Sequence, residues 1–347
     1  MSKFFGKAGA RIKRMSDTNL LLVITIAVFF IMYIMAVLIV KGAFLKPQQF
    51  LNNLGNEAAL IIASCGMSIV MIGGGIDISV GGMSALVGMC CAMTLDHWGG
   101  NIFTSILFAI GIGLAFGLVQ GTLVAYLGIQ PFIVSLAGMF FAKGMTTIVH
   151  SEPFNIEHEG FKALKDFHIK IPFLHQTNNS GDQVDCFIEV GVIVAIIIVL
   201  ILFCVLRWTK LGRNFYAVGG NPQSALMLGI NVKLTKFLSH LICSTLAGIA
   251  GYILFMHTGS ASPSAGAEME MNAIASSIIG GTMLTGGVGN IIGTFFGVLS
   301  LNTIKQIVTS AGFGEAYWTG ITVAAMLCLF LLIQSVVMIQ KRKALKS

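Results

Sequence analysis

Charge is what this 347-residue chain has least of. Asp, Glu, Lys and Arg together make up 10% of it and hydrophobic residues 56%, with a mean hydropathy of +0.88. A soluble domain could not keep its surface wet with that balance, so the apolar surplus must face lipid. Proline is sparse as well, 6 residues against 41 glycines, so interruptions of the apolar runs fall mainly to glycine. The short alternating segments of a membrane β-barrel are missing. No GxxxxGK[ST] loop is present to cradle nucleotide phosphates. Neither HExxH nor a Ser/His/Asp arrangement stands at membrane depth, which argues against an intramembrane enzyme. The seven cysteines (65, 90, 91, 186, 204, 243, 328) form no CxxC or Cys/His spacing, so they read as packing residues and imply neither disulfides nor a metal. Without an aromatic and basic surface, the net charge of +7 speaks for topology and not for nucleic acid.

What is present is a series of apolar runs of roughly 20 residues, each long enough to cross a hydrocarbon core as a helix. Helices are predicted at 20–41, 51–72, 77–96, 102–127, 131–149, 187–207, 234–257, 270–286, 289–309 and 316–340. The fold class is therefore an all-α polytopic membrane protein with about ten transmembrane helices, a single transmembrane domain over 1–347. The pair on either side of 281–289 is the weakest, because Gly and Thr interrupt the pattern and a re-entrant or broken helix also fits. Lys3, Lys7, Arg11, Lys13 and Arg14 precede the first run, with no small-x-small cleavage pattern after it, so 1–19 reads as the basic flank of a retained anchor. With ten crossings that flank, the segment 208–233 with the basic stretch Arg207, Lys210, Arg213, Lys233 and Lys236 in and beside it, and the tail 341–347 share one side, cytoplasmic by the positive-inside rule. The polar stretch 150–186 then lies outside, an ordered flap with Pro153, Pro172 and a polar run at 176–183. Its histidines (150, 158, 168, 175) lack ligand spacing, and Asn178-Asn179-Ser180 matches a glycosylation acceptor.

Glycine marks three further features. Gly113, Gly117 and Gly121, and again Gly289, Gly293 and Gly297, recur every fourth residue, the pattern of closely packed helices. The Gly-rich hairpins 73–88 and 280–297 (with Gly280 and Gly281) resemble each other loosely, as an internal repeat would. Sharpest is Gly73-Gly74-Gly75-Ile76-Asp77-Ile78-Ser79-Val80-Gly81-Gly82 between two apolar runs. Asp77 is an expensive charge there, and the glycines free backbone groups that need a protein partner or a wet cavity. Two readings stay open: Gly74, Gly75, Asp77, Ser79 and Gly81 border a translocation pathway, or Asp77 caps the following helix through backbone amides.

The stretch 211–231, Leu211-Gly212-Arg213-Asn214-Phe215-Tyr216-Ala217-Val218-Gly219-Gly220-Asn221-Pro222 and on to Ala225, Gly229 and Asn231, reads as a short amphipathic helix outside the bilayer, started by Pro222 and stopped by Gly229. This stretch and the Asp77 motif resemble the permeases of bacterial ABC importers for ribose, arabinose, xylose, galactosides and related sugars. A third block matches in Glu270-Met271-Asn272-Ala273-Ile274-Ala275-Ser276, Ile279-Gly280-Gly281-Thr282, Gly286-Gly287-Val288-Gly289 and Gly293-Thr294. The residues 131–141 with Lys143-Gly144 most resemble the galactofuranose-type permeases, which pair with a second, different permease. Departures are Asn272, where relatives often carry an acid, and Ile78, where they carry Leu; the first puts any role for charge at 272 in doubt.

The resemblance implies a type II ABC importer-like permease fold in the bacterial cytoplasmic membrane, both termini cytoplasmic. It implies that Gly212, Arg213, Ala217, Gly219, Gly220, Asn221, Ala225 and Gly229 carry a segment that docks on a cytoplasmic ATPase. The other implied partners are a second permease, in a homodimer or heterodimer, and an extracytoplasmic sugar-binding protein meeting the loops near 150–186 and 257–270. ATP and Mg belong to the ATPase, and this chain binds no cofactor of its own. Candidate pathway residues are sparse: Asn52, Asn53, Asn56, Glu57, Ser64, Ser68, Thr122, Asn302, Lys305 and Gln306. Among them Glu57 and Lys305 invite a pairing, although each is also placed to snorkel to an interface. The main rival is an ion-coupled secondary transporter, which also uses broken helices and buried acids but has no use for the stretch 211–231.

Overall fold

The computed structural model describes residues 17–40, 44–177 and 183–346. The basic N-terminal cluster and the triplet 178–180 lie outside them. In chain order the helices are α1 (Asp17–Val40), α2 (Pro47–Ile72), α3 (Val80–Asp96), α4 (Ile102–Ala125), α5 (Pro131–Val149), α6 (Glu159–Lys165), α7 (Val190–Trp208), α8 (Lys210–Gly220), α9 (Pro222–Met227), α10 (Val232–Thr258), α11 (Met269–Ile279), α12 (Ile291–Ser310) and α13 (Ala316–Lys346). Four short strands, β1 (Phe154–Asn155), β2 (His168–Thr177), β3 (Gln183–Glu189) and β4 (Ser260–Ala261), pair antiparallel as β1 with β4 and β2 with β3.

All ten expected helices are present, and eight of them are long and apolar enough to cross a membrane: α1, α2, α4, α5, α7, α10, α12 and the part of α13 from Tyr317 to Val336. The other two are shorter helices. α3 has 17 residues and α11 has 11, because irregular backbone takes 73–79 from the first and 280–290 from the second. The helix expected at 270–286 thus stops at Ile279. Gly73, Gly74 and Gly75 donate to the carbonyls of Ile69, Met71 and Val70 at the end of α2, which satisfies the orphan acceptors of its last turn.

Burial sorts the spans into layers. The apolar window of α2 is 89% buried, against 22% for α1, α4 and α5. A helix apolar on every side is a core helix when neighbours cover it and a lipid-facing one when they do not. α2 is thus the central post, packed by α7, α10, α11 and α12, while α1, α4, α5, α7 and α13 form the rim.

Glycine sets the closest approaches between spans. A Cβ at Gly113 or Gly121 would stand 2.9 or 3.0 Å from the Ser244 or Phe237 carbonyl oxygen of α10, and one at Gly117 would stand 2.8 Å from Leu241 Cα. Gly248 of α10 returns the contact against the Ala109 carbonyl. α11 and α12 cross in the same way, Gly293 against the Gly280 carbonyl and Gly297 against that of Ser276. Between them α2 sends Ser68, whose Oγ lies 2.9 Å from Ser277 Oγ and 2.6 Å from Thr294 Oγ1.

The stretch 150–189 folds as α6 and the β2–β3 hairpin. Phe161 of α6 stacks on Phe255 of α10 with ring centroids 4.5 Å apart, and Asp96 at the end of α3 accepts from the Glu157 and His158 amides at 2.8 and 3.0 Å. The flap's histidines serve it locally: His158 caps α6, and His175 Nδ1 sits 2.8 Å from Asp185.

Candidate functional site

The three sequence blocks that stood apart in the chain meet at one end of the bundle. Gly74 (φ +82°), Gly286 (φ +82°) and Gly287 (φ +75°) occupy the left-handed region that side chains avoid, and each turn they form faces α8. The Gly287 amide donates to the Ile72 carbonyl at 2.9 Å, joining the break after α2 to the break after α11. Gly219 of α8 closes the knot: a Cβ there would run into the Ile72 carbonyl oxygen and stand 2.7 Å from the Gly287 amide nitrogen. One turn earlier Tyr216 donates its hydroxyl to the Gly289 carbonyl at 2.9 Å. Burial pushes that phenol up to about 12, against a smaller opposing pull from the Arg207 charge, so it remains a donor throughout the physiological range.

Beyond the knot, α9 projects from the bundle. Asn221 caps it by accepting from the Ser224 amide at 2.9 Å, with Pro222 in its first turn. Only Ala225 is buried, while Leu226, Met227 and Leu228 are 64, 88 and 79% exposed. Three large apolar side chains thus stand exposed together at the tip of the insert. Of the residues expected to carry the docking segment, Gly212 and Gly219 face inward, Gly212 against the backbone of Val205 and Leu206. Arg213, Gly220, Asn221 and Gly229 are exposed, and Ala217 is partly buried.

Asp77 lies in the break itself, fully buried. Its Oδ1 accepts from the Ser79 amide at 3.0 Å and the Ser79 hydroxyl at 2.6 Å. Gln120 of α4 donates to the same hydroxyl at 2.9 Å. Its Oδ2 faces His240 Nδ1 of α10 at 3.9 Å, and neither atom has a hydrogen-bond partner. Asp77, through Ser79, thus links the break to α4, with His240 of α10 alongside. His240 and Gln120 were not singled out from the sequence, although a histidine within an apolar span was signal enough.

Gly81, four residues after Asp77, admits the carboxylate of Glu270, which a Cβ would strike, and such a Cβ would stand 2.8 Å from the Gly266 carbonyl oxygen. Glu270 Oε1 pairs with Lys143 Nζ at 3.6 Å, leaving Oε2 buried without a hydrogen bond.

Glu57 and Asn302 belong to a different place, toward the opposite end. There Asn53 and Gln306 exchange two amide hydrogen bonds (2.7 and 3.2 Å), and Gln306 also donates to Asn302 at 3.1 Å. Lys305 donates to Asn272 at 3.2 Å, so the pairing expected with Glu57 is replaced by an amide contact, with Glu57 in the field of Lys305 and His257. Of the other polar candidates, Ser64 and Ser68 are sealed in the core and Thr122 bonds back to Leu118 on an exposed face of α4.

Eight spans that include a central helix, two shorter helices bordered by glycine turns, and an insert locked onto both turns are the architecture of a membrane transport protein. Comparison gives the family. The chain belongs to the family described as the permease component of branched-chain amino acid transport systems, whose model matches residues 49–331. It is 33% identical to the inner membrane ABC transporter permease protein YjfF of Escherichia coli, over 92% of this chain and 93% of that one. The fructose import permease protein FruG of Bifidobacterium longum is 31% identical over 93% of each chain, and the ribose import permease protein RbsC of E. coli 32% identical over 86% and 91%. No solved structure matches the chain.

Proposed function

We propose that this chain is the membrane-spanning permease of an ATP-driven importer that carries a monosaccharide into the cytoplasm by alternating access. The observation that carries the reading is the knot at Gly219: both helix breaks bear on the one insert that exposes an apolar tip. A cytoplasmic ATPase, using ATP and Mg of its own, covers Leu226, Met227 and Leu228 and pushes through α9 and α8. The breaks at 73–79 and 280–290 receive that push and tilt the helices they interrupt. A second permease completes the pore, and an extracytoplasmic binding protein delivers sugar to the flap. In this topology both termini lie in the cytoplasm. The polar residues around Asn53, Glu57, Asn272, Asn302 and Lys305 receive the sugar on the delivery side. Near-full-length similarity to fructose and ribose import permeases supports the substrate class.

The test is uptake into vesicles holding this chain with its ATPase and binding protein. ATP-dependent accumulation of a hexose or pentose from a labelled panel is the expected result. Uptake that survives ATP depletion and collapses with an uncoupler would make the chain a secondary transporter, and uptake of leucine in place of sugar would shift it to the substrate named by the family description.

The tip has its own test. Met227→Glu and Leu228→Glu place charge on a covered apolar surface, and each is expected to weaken co-purification of the ATPase roughly tenfold or more, as truncations at interface hot spots do. Gly229 (φ +79°) has open space about its Cα, so a bulky residue there strains the turn by about 1–2 kcal/mol and should lower ATPase stimulation without loss of the folded chain. Unchanged stimulation and uptake in all three variants would remove the docking role.

A further inference from the structure

We propose that a cavity beside α8 binds the phosphate of an anionic phospholipid. The cavity has a volume of about 270 Å³ and lies where the ends of α1, α7, α8 and α12 come together. Arg207 from the last turn of α7 and Arg213 from α8 line one side of it, Tyr216 and Asn290 another, and Phe203 and Leu206 supply apolar wall. Neither arginine has a carboxylate within ion-pair distance among the described residues. Arg213 instead reaches back to the Trp208 carbonyl, 3.5 Å from its Nη1, which holds its guanidinium beside the end of α7. Asn290 spends its side-chain oxygen on the Ile292 amide at 2.9 Å, leaving its amide nitrogen to donate.

Two guanidinium groups and an amide donor over an apolar wall fit a ligand that carries an anion at one end and hydrocarbon at the other. Guanidinium is the group best shaped to bind phosphate through two parallel hydrogen bonds. The level is right for a headgroup: Trp208, 67% exposed, ends the apolar run of α7 where amphipathic rings sit at the membrane interface. Basic pockets between spans at that level are a recurrent way of holding acidic lipids. The site also adjoins the knot, since Tyr216 lines the cavity while its hydroxyl holds the Gly289 carbonyl. Lipid seated there would brace the turn that receives the push of α8.

The experiment takes the purified full-length chain in mixed micelles of phosphatidylglycerol and phosphatidylcholine in equal amounts and counts retained lipid by native mass spectrometry. The wild type is expected to retain phosphatidylglycerol over phosphatidylcholine by roughly tenfold, the scale of two arginines at a headgroup. The double variant R207Q/R213Q should bring the ratio near parity, while K233Q, a basic residue at the same end but outside the cavity, leaves it unchanged. Size-exclusion profiles equal to wild type confirm that the exposed arginines have not cost the fold. An unaltered ratio in R207Q/R213Q would overturn the proposal. So would displacement of the lipid by inorganic phosphate but not by chloride at equal ionic strength, which would assign the site to the free anion. Loss of the ATPase subunit from R207Q/R213Q with the lipid ratio intact would assign both arginines to the protein interface instead.

Discussion

Gly219→Ala is expected to lower the melting temperature of the solubilised chain by several degrees and to abolish stimulation of the partner ATPase, while Gly220→Ala does neither. The two glycines are adjacent in α8, so helix propensity favours alanine at both by a similar fraction of a kcal/mol. Their surroundings differ. A methyl at 220 meets nothing within 4 Å, whereas one at 219 overlaps the Ile72 carbonyl oxygen and approaches the Gly287 amide nitrogen to 2.7 Å. Those two atoms form the hydrogen bond that joins the breaks, and backbone in a turn cannot swing aside as the end of a side chain does. Overpacking costs about 1–3 kcal/mol in a yielding core, so the upper end applies here, with loss of the hydrogen bond added to it. Valine should be worse. Equal melting temperatures for the 219 and 220 variants would mean that α8 does not seat against the breaks.

The span pattern was legible because a run of roughly 20 apolar residues has one common physical solution in a bilayer. The glycine blocks were legible as blocks for a related reason: glycine within an apolar run weakens the helix and needs a cause. What the sequence did not display is that Gly74, Gly219 and Gly287 touch, since their separation along the chain carries no trace of their proximity. Helix lengths were half legible. The apolar pattern continues through Met283 and Leu284, and hydropathy alone does not register that Gly280 and Gly281 have already ended α11.

Side chains inside the bundle were harder still. Where spans such as α4 and α10 are mostly apolar along their lengths, periodicity separates the buried face from the lipid face poorly, so nothing in the sequence placed His240 and Gln120 beside Asp77 and Ser79. The exposed tip of α9 escaped notice for the same reason. Motif resemblance drew attention to Gly212 and Gly219, which are buried, whereas Leu226, Met227 and Leu228 look unremarkable in a chain that is mostly apolar. Only the structure shows that α9 stands where none of the described residues covers them.

Asp77→Ala is expected to cost more than Asp77→Asn, and the difference separates the two roles open to this residue. Alanine removes the acceptor of both the Ser79 amide and the Ser79 hydroxyl in a site closed to solvent. Each stranded buried donor costs about 1–3 kcal/mol, and the break loses the turn that leads into α3. The amount of folded chain recovered from membranes should therefore fall severalfold for Asp77→Ala. Asparagine keeps an oxygen where Oδ1 stands and an amide where Oδ2 faces His240 across 3.9 Å, so its chain should fold. Asparagine also removes the carboxylate's charge, and with it a charge interaction across the 3.9 Å to a protonated His240. If that interaction is needed as the break moves, the Asp77→Asn complex will assemble but hydrolyse ATP without importing sugar. His240→Gln should then reproduce that phenotype, since it alters the same interaction from the α10 side. An Asp77→Ala chain recovered in full, with the melting temperature of the wild type and no transport, would show that the carboxylate serves the pathway and that the turn holds without it.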